Sequence, residues 1–114
     1  MRVLVVFAHP RRASFTGELL DALQSGLKAA GHEVEVADLY SEGFDPRLDA
    51  AAFDRETAMA CEVALPVDVL AEHARLLRCQ GLVFVYPFWW SDVPAILKGW
   101  FDRVWTYGFA YAYE

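Results

Sequence analysis

Residues 82–104 read LVFVYPFWWSDVPAILKGWFDRV. The segment opens as a continuous apolar run that is far shorter than the roughly 20 residues needed to span a membrane. Pro87 interrupts the run, an aromatic stretch follows, and helical character restarts at Pro94. A buried strand, a loop and a helix are therefore predicted, which is the order in which open parallel sheets build their ligand sites.

The beginning of the chain repeats this order of strand, loop and helix. Residues 3–8 (VLVVFA) are typical of a strand that is buried on both faces of a sheet. After a loop that ends at Ser14, a favourable N-cap, apolar residues recur at helical spacing up to Ala30, and Gly31 is expected to end the helix. The predicted apolar face of this helix consists of Phe15, Leu19, Leu20, Leu23, Leu27 and Ala30.

The rest of the chain completes a βαβ unit and adds a third strand. Residues 32–39 alternate polar and apolar side chains, which predicts a second strand at the sheet edge, parallel to the first. Residues 40–65 are predicted as loop, with at most one helical turn at residues 49–53. The other predicted elements are a helix over residues 66–78, a strand over residues 82–86 and a helix over residues 94–105. The predicted apolar face of the helix over residues 66–78 consists of Val69, Leu70, His73, Leu76 and Leu77, with His73 in a structural role.

The composition is that of one globular domain over residues 1–114. Hydrophobic residues make up 56% of the chain, which is ample for a core, and the formal net charge is −6. No stretch is rich in Lys or Arg, so neither nucleic acid nor an anionic membrane surface is a predicted partner.

The N-terminus and the cysteines indicate the compartment. The first apolar run has only about six residues, too few for a signal peptide, and no membrane insertion is predicted. Cys61 and Cys79 match no metal-binding spacing, so no metal site is predicted. Both are interpreted as reduced thiols packed as small apolar side chains in a cytoplasmic protein.

The first loop, residues 9–16, has the chemistry of a phosphate site. It combines His9, two arginines, two hydroxyls and the free amides at the start of a helix, where the helix dipole is positive. The hydroxyls have an alternative role, because such residues commonly do no more than cap a helix. His9 is either a donor to the phosphate or the residue that terminates the first strand.

The aromatic loop, residues 86–93, suits a flat ligand. Its Phe-Trp-Trp cluster with intervening amides would fit a planar ring with polar edges, such as a flavin, and the alternatives are an aromatic core or a subunit contact. Together the two loops would hold the phosphate end and the ring end of a flavin nucleotide. No nucleophilic triad or paired carboxylate site is visible, which is consistent with redox chemistry carried by a cofactor.

Two segments of the chain resemble the flavodoxin-like NAD(P)H:quinone oxidoreductases, the FAD-containing quinone reductases also called DT-diaphorases. The first segment is AHP at residues 8–10 with SFT at residues 14–16. The second is YPFWW at residues 86–90, followed by VPAILKGWFDRV at residues 93–104 and GFAY at residues 108–111. The resemblance extends over the whole chain and is weakest at residues 41–65.

The resemblance implies a site for FAD, in preference to FMN, at the two loops. Contacts to the phosphates and the ribityl chain are implied for His9, Ser14, Phe15 and Thr16. Contacts along the isoalloxazine ring are implied for Pro87, Phe88, Trp89 and Trp90. Ser91 would also contact the cofactor, although some relatives carry an aromatic residue at that position.

The resemblance also implies a reaction and an assembly. NAD(P)H would pass a hydride to the flavin and leave, and a quinone would then take its place and be reduced by two electrons. The family forms homodimers, in which Tyr111 and Tyr113 would reach the catalytic pocket of the partner subunit. A protonated His9 would bind phosphate more strongly than the neutral ring, so FAD affinity would fall as pH rises.

The chain is shorter than the family. Family members continue with two more strands, a Gly-rich flavin-binding loop and a Tyr/His pair near the reacting ring. We therefore expect an α/β fold that contains only the N-terminal three-strand portion of a flavodoxin-like parallel sheet with flanking helices. In the flavodoxin strand order, 2-1-3-4-5, its third strand would have an open edge. Two other functions stay open: a non-catalytic flavodoxin-like flavin- or nucleotide-binding regulatory or interaction module, and an interaction fragment without a cofactor.

Overall fold

A computed structural model of the chain describes residues 1–113, so that Glu114, the last residue of the predicted domain, lies outside the described residues. The elements in chain order are β1 (Arg2–Phe7), α1 (Phe15–Ala29), β2 (Glu33–Asp38), α2 (Ala50–Thr57), α3 (Val67–Arg78), β3 (Gly81–Val85) and α4 (Ala95–Val104). Among the helices that residues 1–113 form, none has the length and apolar character to cross a membrane.

β1 is the central strand of a parallel sheet with the order β2-β1-β3. Its side chains alternate between two cores, because successive residues of a strand point to opposite faces. Leu4 and Val6 pack with Trp100 of α4 on one face, and Val5 packs with Leu20 of α1 on the other. The predicted α/β fold and the burial of β1 on both faces are confirmed.

The two outer strands of this sheet lie at its edges. The edge position predicted for β2 is confirmed. The prediction of a buried strand at residues 82–86 is wrong for Leu82, which is 36% exposed, while the other residues of β3 are half-buried. The physical reason is that β3 pairs only with β1 within residues 1–113, which leaves the open edge expected of a three-strand portion.

The ends of α1 follow the local sequence signals. Ser14 is the N-cap, and its Oγ accepts a hydrogen bond from the Gly17 amide at 3.0 Å. Gly31 has a φ of +86°, a conformation that glycine adopts without the steric penalty of a Cβ. The predicted start and stop of this helix are confirmed.

α2 is the element that the sequence underpredicted. Only one helical turn was expected at residues 49–53, whereas the helix runs from Ala50 to Thr57. Arg55 is only 7% exposed, and its Nε donates to the Val63 carbonyl at 3.0 Å. The helix is therefore stabilised by a tertiary contact that periodicity does not reveal.

Some side chains predicted to be buried are exposed. Phe15 and Leu19 of α1 are 75% and 46% exposed, and Leu70 and Leu77 of α3 are 49% and 76% exposed. Cys61 is exposed as well, so its interpretation as a small core residue is wrong. For the four helical residues the reason is geometric, since only the part of each helix that faces the sheet is covered.

Two other predicted residues behave as expected. Cys79 is a free thiol that packs partly buried against the core. His73 is buried, and its Nε2 donates to the Val104 carbonyl at 2.9 Å while its ring stacks on Phe109 at a centroid distance of 3.7 Å. His73 therefore has the structural role that its position on α3 predicted.

Candidate functional site

The first loop leads from the end of β1 into the first turn of α1. Because the Ser14 hydroxyl accepts the Gly17 amide, the capping role considered for it is present in the structure. The amides of Phe15 and Thr16 donate to no acceptor within residues 1–113. These two donors lie at the positive end of the helix dipole, which favours an anionic ligand there. Phe15 is largely exposed, whereas Thr16 is 6% exposed.

The ring of His9 is oriented by its own loop. Its Nδ1 accepts a hydrogen bond from the Arg11 amide at 2.9 Å, so a neutral ring carries its proton on Nε2. Protonation of Nδ1 would break this hydrogen bond. The geometry therefore leaves Nε2 as the ring nitrogen that can donate to a ligand. The expected fall of flavin affinity with rising pH stays a prediction.

The aromatic loop contains a tight hairpin turn. Trp89 and Asp92 exchange two backbone hydrogen bonds of 3.0 Å around Trp90 and Ser91. These two central residues have φ values of +52° and +62°, which is the pattern of a type I′ turn. A non-glycine residue in this region of φ costs about 1–3 kcal/mol, and such strain is concentrated at functional sites.

The hairpin presents aromatic side chains to solvent. Trp90 is 100% exposed and Phe88 is 72% exposed, whereas Pro87 is half-buried. The interpretation of this cluster as an aromatic core is therefore wrong for Phe88 and Trp90. An exposed apolar cluster of this kind marks a surface that binds a ligand or another protein.

The two loops meet at the carboxyl edge of the sheet. β1 and β3 are parallel neighbours, with Phe7 paired to Val85, so the loops that follow them start side by side. The His9 and Trp89 rings are 6.0 Å apart between centroids, at an interplanar angle of 59°. Hydrogen-bond donors suited to phosphate and an aromatic surface suited to a planar ring are thus adjacent.

Tyr111 and Tyr113 lie in a different cluster. Both pack against Tyr107, with centroid distances of 5.5 and 6.2 Å. The Glu56 carboxylate accepts a hydrogen bond from the Tyr107 amide at 2.9 Å and one from the Tyr111 hydroxyl at 3.4 Å. Within residues 1–113 neither tyrosine ring packs against an aromatic ring of the two loops, so one chain does not bring them together with the predicted cofactor residues.

The environment of Tyr111 keeps its hydroxyl protonated. Desolvation, followed by the charge and hydrogen bond of Glu56, raises the pKa of Tyr111 above its ordinary value. Sequence reasoning missed both Glu56 and Tyr107. Glu56 lies in the part of α2 that was predicted as loop, so a correct prediction of the length of this helix would have included it.

A cavity of about 260 Å³ lies elsewhere, between α2, the start of α3 and the end of α4. It is lined by apolar residues of the 48–69 segment together with Arg55, Glu56 and Arg103. None of the nine residues predicted to bind the cofactor lines it. The two loops and this cavity are therefore separate features of the surface.

Comparison with known proteins agrees with the fold. The family described as flavodoxin-like fold matches residues 1–114. An NAD(P)H:quinone oxidoreductase from Methanothermobacter marburgensis is 52% identical, with a TM-score of 0.97, over 99% of this chain and 57% of that one. A ribosyldihydronicotinamide dehydrogenase-like protein from Penicillium crustosum is 41% identical over 97% of this chain and 46% of its own length.

A guinea-pig protein, the NAD(P)H dehydrogenase (quinone) 1 of Cavia porcellus, is 38% identical over 98% of this chain and 46% of its own length. The chain thus spans about half the length of the curated relatives it matches. The match includes the central parallel strand, both loops and α4. Because the family matches residues 1–114 and the sheet is parallel with the order β2-β1-β3, the chain belongs to the flavodoxin-like fold family.

Proposed function

We propose that this chain provides the flavin-binding N-terminal portion of an NAD(P)H:quinone oxidoreductase. The observation that carries the proposal is the contact between His9 and Trp89, which unites the donor-rich first loop and the aromatic loop at one edge of the sheet. The names of the relatives support a quinone as the electron acceptor and NAD(P)H as the donor. The resemblance to FAD-containing quinone reductases favours FAD over FMN.

The described residues fit such a cofactor. The free amides of Phe15 and Thr16 and the Nε2–H of His9 would donate to phosphate oxygens, and Ser14 would hold these amides in place as the N-cap. Pro87, Phe88, Trp89, Trp90 and Ser91 would lie along the ring. When bound, the flavin supplies the hydride-transfer chemistry that none of these side chains possesses.

The chain's own contribution is to bind, orient and shield. The hydrogen-bonded hairpin fixes the backbone from which the aromatic side chains project, so the backbone of this turn has little freedom to lose on binding. The same side chains would exclude water from one side of a planar ring. The first loop would set the position of that ring by holding its phosphate end.

The proposal also includes assembly of the protein as a homodimer. Tyr111 and Tyr113 would contribute to the catalytic pocket of the partner subunit, where the Tyr111 hydroxyl would stay protonated as a hydrogen-bond donor. Within residues 1–113 their rings pack against Tyr107 rather than against the aromatic rings of the two loops, which supports an action on a neighbouring site. We place this protein in the cytoplasm.

The first test is flavin binding. Titration of the chain with FAD, followed by visible absorbance and flavin fluorescence, should give saturable binding. Trp90→Ala should weaken it about 10- to 100-fold, because stacking of a planar ring on an aromatic side chain contributes about 1–3 kcal/mol. Phe53→Ala is the matched control, since Phe53 is an exposed aromatic residue on α2, outside both loops.

The outcomes separate the functions. A chain that binds no added flavin would overturn the proposal in favour of an interaction fragment. If flavin binds, oxidation of NADH or NADPH in the presence of a simple quinone decides between an oxidoreductase and a non-catalytic flavin-binding module.

A further inference from the structure

Arg12 joins the first loop to the first two turns of α1. Its Nη1 donates to the Gly17 carbonyl at 2.8 Å, and its Nη2 forms an ion pair with the Asp21 carboxylate. The guanidinium carbon also lies 5.6 Å from the centre of the Phe7 ring, at the end of β1. One side chain thus contacts the strand, the loop and the helix that together form the proposed phosphate site.

The backbone at Arg12 is equally constrained. A Cβ added at Gly17 would lie 1.9 Å from the Arg12 carbonyl oxygen, so the loop packs directly on the bare Cα of the helix. The same carbonyl accepts the Ser14 amide at 3.1 Å. The position of residue 12 therefore determines where Ser14, and with it the free amides that follow, is placed.

The charges around Arg12 indicate that its role is not simply to bind phosphate with its positive charge. Asp21 neutralises its guanidinium, whereas the neighbouring Arg11 side chain has no acidic partner within residues 1–113. A carboxylate paired to a phosphate-binding arginine would compete with the phosphate for it. The pairing is instead suited to holding the Arg12 side chain across the start of α1.

We propose that Arg12 and Asp21 act as positioning residues that fix the first loop for the phosphate group of a flavin nucleotide. The inference rests on the proposed function, because it takes flavin phosphate as the ligand. It predicts that removal of a negative charge lowers the affinity for an anionic ligand. On electrostatics alone, Asp21→Asn should raise the affinity for an anion by removing a negative charge, whereas positioning requires that the affinity fall.

The experiment compares three flavins on the same chain. Riboflavin has no phosphate, FMN has one and FAD has two. Asp21→Asn should weaken FMN and FAD binding about threefold, the size expected from the loss of an exposed ion pair, and should leave riboflavin affinity unchanged. A merely structural role would lower all three affinities in proportion to the loss of folded protein, so the ratio of FMN to riboflavin affinity is the decisive readout.

Two controls accompany this comparison. Glu18→Gln removes an exposed acidic charge from the first turn of the same helix, where no ion pair is lost, and should leave phosphate affinity unchanged or higher. Asp21→Glu should restore the FMN to riboflavin ratio, because it keeps the carboxylate. In the protein without flavin, amide hydrogen exchange of Ser14 and Gly17, the two hydrogen-bonded amides of residues 14–17, should accelerate in Asp21→Asn and not in Glu18→Gln.

Each result has one meaning. Wild-type protein that binds no flavin at all would overturn the proposed function and this inference with it. Wild-type protein that binds FMN, paired with an Asp21→Asn variant that binds FMN as well or better, would overturn the positioning role alone.

Discussion

The two loops at the carboxyl edge of the sheet are made rigid in different ways. The first loop is held mainly by side chains: Ser14 caps the Gly17 amide, His9 accepts from the Arg11 amide, and Arg12 reaches the Gly17 carbonyl. The aromatic loop is held by its own backbone, through two hydrogen bonds between Trp89 and Asp92. They lie side by side, yet they should respond differently to mutation.

The difference shows which residues determine the backbone shape of a loop and which would contact a ligand. In the first loop a side-chain change alters the path of the backbone, because the hydrogen bonds that define it belong to side chains. In the aromatic loop the Trp90 side chain is fully exposed and the Phe88 side chain is largely exposed. We therefore expect changes in the first loop to affect both stability and binding, and changes in the aromatic side chains to affect binding alone.

The largest expected effect is that of Gly17→Ala. The new Cβ would lie 1.9 Å from the Arg12 carbonyl, so the first loop must move, at a cost of about 1–3 kcal/mol in the free energy of unfolding. FAD affinity should fall as well, because the free amides move with the loop. Urea denaturation and flavin titration measure the two effects.

Gly26→Ala is the matched control in the same helix. No atom lies within 4 Å of its added Cβ, so this change should stabilise α1 by about 0.5–1 kcal/mol through helix propensity. Equal stability changes in the two variants would contradict the close packing of the first loop on α1.

A second prediction distinguishes the roles of the two ring nitrogens of His9. Asn offers an acceptor near the position of Nδ1 and lacks a donor at Nε2, whereas Gln places a donor near Nε2. We expect His9→Asn to weaken FAD binding about tenfold, which corresponds to the roughly 1.5 kcal/mol at the lower end for one hydrogen bond to a charged group, and His9→Gln to weaken it less. Isothermal titration of both variants measures the difference.

The opposite ranking would change the comparison of the loops. If His9→Gln bound FAD more weakly than His9→Asn, the bond to the Arg11 amide would matter more than a donor to the ligand. His9 would then belong to the side chains that shape the first loop rather than to those that contact the cofactor.

The smallest expected effect is that of Ser91→Gly. Ser91 has a φ of +62°, which glycine adopts without strain, so the substitution should raise the free energy of unfolding by about 0.5–1 kcal/mol. FAD affinity should change less than twofold, since the turn keeps its shape. Thermal unfolding detects the gain in stability.

Ser41→Gly is the reference for this change. Ser41 is an exposed turn residue whose φ is not positive, so glycine there should only add freedom to the unfolded chain and lower stability slightly. A loss of stability in both variants would show that the hairpin is not strained at Ser91.

Much of the architecture could be predicted from local pattern. The strand at residues 3–8, the helix predicted from the spacing within α1 and the stop at Gly31 each rest on a short-range property, and each element is confirmed. The neighbouring position of the two loops also followed, because the carboxyl ends of adjacent parallel strands lie at one edge.

Other features depend on contacts between distant residues. α2 could not be predicted in full because the buried Arg55 side chain donates a hydrogen bond to the Val63 carbonyl, which is eight residues away and outside the helix. The exposure of Leu70 and Leu77 could not be predicted either, since the apolar pattern of α3 does not reveal how much of that face the sheet covers. The orientation of the His9 ring is set by a hydrogen bond from the Arg11 amide, which no motif contains.

By itself the sequence determined the fold class, the βαβ order and the two segments that form the candidate site, because hydrophobic period, caps and loop composition are local properties of the chain. Only the tertiary structure decided that the His9 ring lies beside the Trp89 ring and that Arg12 forms an ion pair with Asp21. It also decided that Tyr111 and Tyr113 pack against Tyr107, in a cluster separate from the two loops. These depend on which side chains reach one another after the sheet and helices have packed, and that distance in space is not encoded in distance along the chain.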